Sequence, residues 1–149
     1  MSCVFGFDVG SRLTGVAIGN RLTGTARALT TLPIHDGSPD WGRLDALRRE
    51  WQPDHLVVGL PLTLEGTEQP ASRRARKFAT ELQQRYNLPV ALVDERHRSQ
   101  EAAQRFASGR AAGLKRRRDA AEIDAEAAAV ILERWLLEVA AGADRETSH

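Results

Sequence analysis

The chain has 149 residues, 42% hydrophobic and 28% charged, with a formal net charge of +1, which excludes a disordered or fibrous chain and fits a folded globular domain. No apolar run approaches the ~20 residues of a membrane-spanning helix, so no membrane association is expected. The opening MSCVFGFDVG lacks a basic leader region and a cleavage-like site, and a cytoplasmic location is the expectation.

The single cysteine, Cys3, rules out an internal disulfide or a thiolate metal cage and suits a reducing compartment. Lying in a strand, it reads as a small core residue. CVFGFDVG and LTGVAIGN read as strands joined by a tight turn, and GTARALTTL as a third strand after the turn-like NRLT. SPDWGRLDALRREW carries Trp41, Leu44, Leu47 and Trp51 on one helical face, and Pro53 stops it. DHLVVGLP is a short apolar run of the kind found in buried parallel strands. TEQPASRRARKFATELQQRYN predicts a second helix, with Pro70 in its first turn and Ala75, Phe78, Leu82 and Tyr86 facing inward. LPVALVDER is the fifth strand.

SQEAAQRFASG predicts a short helix that Ser99 caps and Gly109 ends. The basic segment from Arg110 to Arg118 reads as a loop. A long last helix begins at Asp119, which stands three residues before Glu122 in the spacing of a capping box. A frayed tail is expected over 143–149, leaving 1–142 as a single domain. The pattern predicts an α/β fold: a five-stranded mixed sheet, its first three strands antiparallel, with helices on both faces.

In open sheets of this kind, ligands lie beyond the carboxyl ends of the parallel strands. Asp8 stands at such an end, and so does Glu95, which closes VALVDE. Asp124 shares a helical stripe with Ala128, Ile131 and Trp135, so it continues the buried face into the start of the last helix. Taken alone, Asp124 is equally an acid favoured by a helix N-terminus. Together, three carboxylates at one edge repel each other unless a cation neutralises them. Oxygen donors without thiolate or paired histidine select Mg²⁺ or Mn²⁺. Two such ions about 3.5–4 Å apart activate a water and stabilise the leaving oxygen in phosphodiester cleavage. If the fourth strand lies between the first and fifth, Asp8 and Glu95 stem from strands roughly 10 Å apart. Gly59, on the strand between, would leave room there for ions or a phosphate.

Positive charge gathers in RRARK, from Arg73 to Lys77, and in GRAAGLKRRR, from Gly109 to Arg118. A solvated charged face is the ordinary reading of such runs, and contact with a phosphate backbone is the functional one. The candidate nucleic-acid contacts are Lys115, Arg116, Arg117 and Arg118 in the basic loop, with Gly10, Arg12, Arg96, Arg98 and Ser99 beside the acidic edge. His97 is a candidate general acid or base, although a lone exposed histidine is more often neither. Trp41, Trp51 and Trp135 read as core.

FGFDVGSRLTGVAIGN, VVGLPLTLEG, LVDERHRSQEA and EIDAEAAAVIL resemble, in that order, the motifs of the YqgF (RuvX) family. These are bacterial RNase H-like proteins described both as Holliday junction resolvases and as nucleases that mature the 5′ end of pre-16S rRNA. The resemblance runs from Cys3 to Leu137. It implies an RNase H-like fold, a divalent metal, and catalytic and metal-binding acids at Asp8, Glu95 and Asp124. One departure stands out: after DER the family usually has Leu-Thr-Thr or Leu-Thr-Ser, whereas here His97 and Arg98 precede Ser99. That difference bears on substrate contacts more than on metal binding.

The leading expectation is therefore a metal-dependent endonuclease acting on precursor rRNA, with ribosomal precursor particles among its partners, as a monomer or homodimer. Resolution of branched DNA is the alternative substrate reading. A non-catalytic nucleic-acid-binding module is a second class, although three acids would oppose phosphate binding. A phosphotransferase is a third, because DVGSRLTG also resembles the phosphate loop of actin- and hexokinase-like proteins. Those proteins enclose ATP between two lobes, and this chain is long enough for one.

Overall fold

The computed structural model describes residues 3–95 and 119–147, with side chains of the last segment described over 125–140. The predicted helix at 99–109 and the basic loop at 110–118 lie outside the described residues. Three antiparallel strands come first: β1 (Cys3–Val9), β2 (Leu13–Asn20) and β3 (Thr25–His35). The turn between β1 and β2 closes through the Gly10 N–H, which donates to the Leu13 carbonyl at 2.9 Å. A side chain at position 10 would strike that same carbonyl oxygen at 2.6 Å, so the approach requires glycine.

A two-residue strand, β4 (Ser38–Pro39), pairs back onto β3, so the sheet has six strands rather than five. Its cause is the Asp36-Gly37 pair, both at positive φ (52° and 78°), the backbone of a tight two-residue hairpin. Helix α1 (Trp41–Trp51) follows, capped by the Asp40 side chain, which accepts from the Arg43 N–H at 3.2 Å. It ends at Gln52 in the left-handed conformation, just before Pro53.

Strand β5 (His55–Leu60), helix α2 (Pro70–Tyr86) and strand β6 (Val90–Asp94) complete a parallel arm, and the strand order is β4-β3-β2-β1-β5-β6. β1, β5 and β6 run parallel, so their carboxyl ends share one edge. Helix α3 (Asp119–Thr147) continues through Gly142, where the sequence predicts an end. An interior glycine costs about 1 kcal/mol against alanine, and the flanking alanines favour helix.

Each face of the sheet carries its own core. On one, Phe5, Phe7, Val16, Ile18 and Val58 pack against α1 and α2 through Leu44, Ala75, Phe78 and Leu82. Trp41, Leu47, Trp51 and Tyr86 are partly buried against this cluster, as the helical periodicity predicts. On the other, Val4, Ala17, Val57 and Val93 pack against Ala128, Ala129, Ile131, Leu132 and Leu136 of α3. Cys3 is half-buried against the first core, and burial, with the nearby Asp54 charge, raises its thiol pKa.

Candidate active site

Strand alternation decides which way the carboxylates face. On β1, Val4 and Gly6 meet α3 whereas Phe5 and Phe7 face α1 and α2, which assigns Asp8 to the α3 side. On β6, Val93 belongs to the α3-side core, and Glu95 follows it by two. Glu95 stands just past β6, yet its N–H still donates to the Leu60 carbonyl at 3.1 Å. The backbone of Glu95 is thus held by the central strand.

Between them lies Gly59. It pairs with Val93, while the preceding Val58 pairs with Phe7, so the next step of the register sets Gly59 beside Asp8, about 4.8 Å away across the ladder. A Cβ at Gly59 would lie 2.8 Å from Glu95 Oε2 and 2.4 Å from Ile131 Cδ1. The Glu95 carboxylate therefore folds back over Gly59, toward β1. The space that the sequence reading reserved for ions or a phosphate is taken by Glu95 itself and by an α3 methyl group. Asp8 and Glu95 share one edge and one face. Asp94 points away and is exposed.

The third acid depends on the course of α3. Ala128 and Leu132 sit over Gly6, Ile131 over Gly59, and Trp135 meets His55 at the start of β5, ring centroids 5.4 Å apart. α3 thus runs antiparallel to β1 and β5, its N-terminal half toward the carboxyl edge. From Ala128 back to Asp124 is one turn, about 6 Å along the helix. From Gly6 to Asp8 is nearly the same distance along the strand, about 6.6 Å. The backbone at Asp124 therefore comes level with Asp8. The Asp124 side chain lies outside the described residues, and among those described no three His, Cys, Asp or Glu side chains cluster closely enough to hold a metal ion.

Of the candidate nucleic-acid contacts, Gly10 and Arg12 sit in the β1–β2 turn beside Asp8. Arg12 is exposed, and its carbonyl accepts from the Ile34 N–H at 2.8 Å. Arg96, Arg98, Ser99, Lys115, Arg116, Arg117 and Arg118 lie outside the described residues. No described helix is long and apolar enough to cross a membrane. The sequence reading missed the cradle that Gly59 makes for Glu95. Its one signal was a glycine inside an apolar strand, a mark of close approach.

A family model described as RuvX, Holliday junction resolvase, matches residues 2–138. A protein of Xanthomonas oryzae pv. oryzae (strain PXO99A), named "Putative pre-16S rRNA nuclease", is 59% identical over 133 residues, covering 89% of this chain and 86% of its own. A protein of the same name from Xanthomonas euvesicatoria pv. vesicatoria (strain 85-10) is 56% identical over 145 residues, covering 97% and 91%. Among solved structures, T. thermophilus RuvC in complex with a Holliday junction substrate superposes with a TM-score of 0.53 at 18% identity, covering 91% of this chain and 94% of that one. That likeness bears on the fold, which is shared. The chain belongs to the RuvX family.

Proposed function

We propose that this protein is a metal-dependent nuclease that cleaves phosphodiester bonds in the maturation of the 5′ end of pre-16S rRNA. The observation that carries this reading is the Glu95 carboxylate folded over Gly59 toward the strand position of Asp8. Two hard oxygen donors on one face of a sheet edge suit a divalent cation, Mg²⁺ or Mn²⁺, with Asp124 as the third acid. When bound, such an ion supplies water activation and charge stabilisation at the leaving oxygen. The protein's own part is positional. Gly59 admits the Glu95 carboxylate, the Leu60 carbonyl fixes the Glu95 backbone, and β1 holds Asp8 beside it. Arg12 stands in the adjacent turn, where a guanidinium suits a phosphate.

The choice of rRNA rests on the names of the relatives more than half identical to this chain. The description of the family model favours branched DNA as the second reading. The deciding experiment incubates purified protein with precursor 16S rRNA and with a four-way DNA junction, each with Mg²⁺, Mn²⁺ or EDTA. Cleavage of the RNA near the mature 5′ end, abolished by EDTA and by Asp8→Asn, is the expected outcome. Cleavage of the junction alone would replace the first reading by the second.

A further inference from the structure

On the far side of the sheet from α3, but along the same carboxyl edge, lies a cavity of about 150 Å³. It opens between the β1–β2 turn, the β3–β4 hairpin and the stretch of α2 from Arg74 to Glu81. Val9, Ile34, Pro39 and Phe78 make its walls apolar. Thr14, only 1% exposed, lines it too, and its hydroxyl oxygen is buried with no hydrogen-bond partner among the described residues. A buried hydroxyl left unpaired destabilises the fold, so its presence beside a cavity points to a group that completes it. At the rim stand Arg74 and Lys77, both exposed, and one carboxylate, the half-buried Glu81; neither cation has an ion pair among the described residues.

These two cations come from RRARK, and the helix sorts that run. Arg76 turns aside to pair with Glu68 at 2.8 Å, Ala75 is buried and Arg73, though exposed, does not line the cavity, which leaves Arg74 and Lys77, one turn apart, facing the opening. An apolar slot, one buried hydroxyl and a rim of two cations beside one carboxylate, net positive, suit a nucleotide. A cavity of this order holds a single six-membered aromatic ring in an engineered protein interior, which matches a pyrimidine base and not the fused rings of a purine. We propose that the cavity binds one unpaired pyrimidine nucleotide of the substrate strand, its base inserted beside Phe78 with an edge on the Thr14 hydroxyl, and its phosphate on Arg74 and Lys77. Unpaired bases are the parts of RNA that proteins read by insertion and stacking. Because Val9 and Gly10 directly follow Asp8 in the chain, a strand seated there also passes the acidic edge. The identity of the occupant rests on the nuclease reading; the site itself does not.

The test uses the isotope-labelled full chain in EDTA, so that no cleavage occurs. It is titrated with each of the four nucleoside 5′-monophosphates and with ribose 5-phosphate, while backbone amide signals are followed. The expected result is saturable shifts at Gly10, Thr14 and Gly37, strongest for the cytidine and uridine nucleotides. Ribose 5-phosphate should bind at least about tenfold more weakly, the loss expected when a base no longer packs in its site. The exposed double variant Arg74→Ala/Lys77→Ala should weaken the pyrimidine nucleotides. It should also flatten the salt dependence of a bound oligopyrimidine by about 0.7 log units per lost phosphate contact. Thr14→Val should melt no earlier than the parent and change the ratio of cytidine to uridine binding. An unstructured oligopyrimidine should displace the mononucleotides.

Absence of saturable shifts at these amides, equal binding of ribose 5-phosphate, or purine preference would overturn the pocket assignment. Mononucleotide binding that the oligonucleotide cannot displace would overturn its assignment to the substrate strand. Binding without any cleavage in Mg²⁺ or Mn²⁺ would overturn the nuclease reading and leave the pocket standing. Cleavage without these shifts would do the reverse.

Discussion

The two faces of the sheet are built on opposite plans. Toward α1 and α2 the strands present Phe5 and Phe7; Phe5 meets Phe7, and Phe7 meets Phe78, edge to face, with Trp41 stacked on Phe78 at 5.8 Å. Toward α3 they present Gly6, Gly19 and Gly59, met by Ala128, Leu132 and Ile131. Bulk on the first face removes apolar area from water, the main source of folding stability. Smallness on the second lets the α3 backbone come close, with the Ala128 carbonyl 3.1 Å from the point where a Gly6 Cβ would lie. Both Asp8 and Glu95 lie on the small-residue face, the one on which the metal site is proposed. Substitutions on the two faces should therefore separate activity from stability.

The largest separation is expected at Asp8. On the proposed reading, Asp8→Asn keeps the side chain's shape while removing a charge the chemistry needs. Cleavage should fall by several orders of magnitude, with the metal-free melting temperature unchanged or raised and stabilisation by Mn²⁺ reduced. Melting curves with and without Mn²⁺, and cleavage rates on the same preparation, measure both. A variant that melts much earlier yet still cuts would mean that Asp8 only holds the strand.

Gly59→Ala comes next. The added methyl meets Ile131 Cδ1 at 2.4 Å and Glu95 Oε2 at 2.8 Å. Ile131 is fully buried and has little room, so some stability is lost, and the Glu95 carboxylate must move. A displacement of about 1 Å at a reacting centre costs on the order of a hundredfold in rate, so kcat should drop by about that factor, a larger effect than the overpacking alone explains. Gly6→Ala makes the contrast within the same face. Its methyl meets Leu132 Cβ at 2.8 Å and the Ala128 carbonyl oxygen at 3.1 Å, neither of which moves without the helix. Overpacking of this kind costs about 1–3 kcal/mol and should show first in thermal unfolding.

On the bulky face, Phe7→Ala should destabilise by about 3–5 kcal/mol, because Phe7 is fully buried between two other rings. At saturating substrate, cleavage per folded molecule should hardly change; any loss should fall on substrate affinity, because Phe7 packs on Phe78 of the proposed nucleotide pocket. Equal loss of specific activity in Phe7→Ala and Gly59→Ala would dissolve the division between the faces.

Much of this division was legible in the sequence. The inward stripes of α1 and α2, the strand order around β5, and the carboxyl edge that gathers Asp8 and Glu95 follow from periodicity and from the rule for parallel strands. The sixth strand was overlooked because it is two residues long, too short for periodicity. Its signal was chemical, in Asp36-Gly37. The Gly59 cradle was misread because a glycine in a strand reports that something approaches, and not what. Only the register shows that the approaching group is the Glu95 side chain from the next strand. The cavity behind Asp8 was beyond reach for the same reason: Thr14, Ile34 and Lys77 come together from three distant segments.

The smallest expected effect lies on the outer side of the bulky face, where polar contacts join α1 to α2. Arg85 donates to both Asp45 carboxylate oxygens at 2.9 and 2.6 Å, and the Tyr86 hydroxyl donates to Oδ1 at 2.6 Å. The Arg85 hydrogen bonds first, then that from Tyr86, hold the Asp45 carboxyl well below the usual carboxylate range. A carboxyl depressed in the folded state stabilises it above the unfolded pKa, about 3.9 for Asp. That contribution is lost as pH falls through the lower folded value. Because Arg85 is largely exposed, water and salt screen the pair and its worth is small. Asp45→Asn should therefore lower the melting temperature slightly at pH 7, with a deficit that shrinks as the pH is taken below about 4 and that narrows in high salt. Cleavage at neutral pH should be untouched, since Asp45 lies on the face opposite the acids. A deficit constant from pH 7 down to the acid transition would mean that the aspartate contributes shape and not charge. A loss of cleavage in this variant would mean that the bulky face takes part in the chemistry, and the contrast between the faces would have to be redrawn.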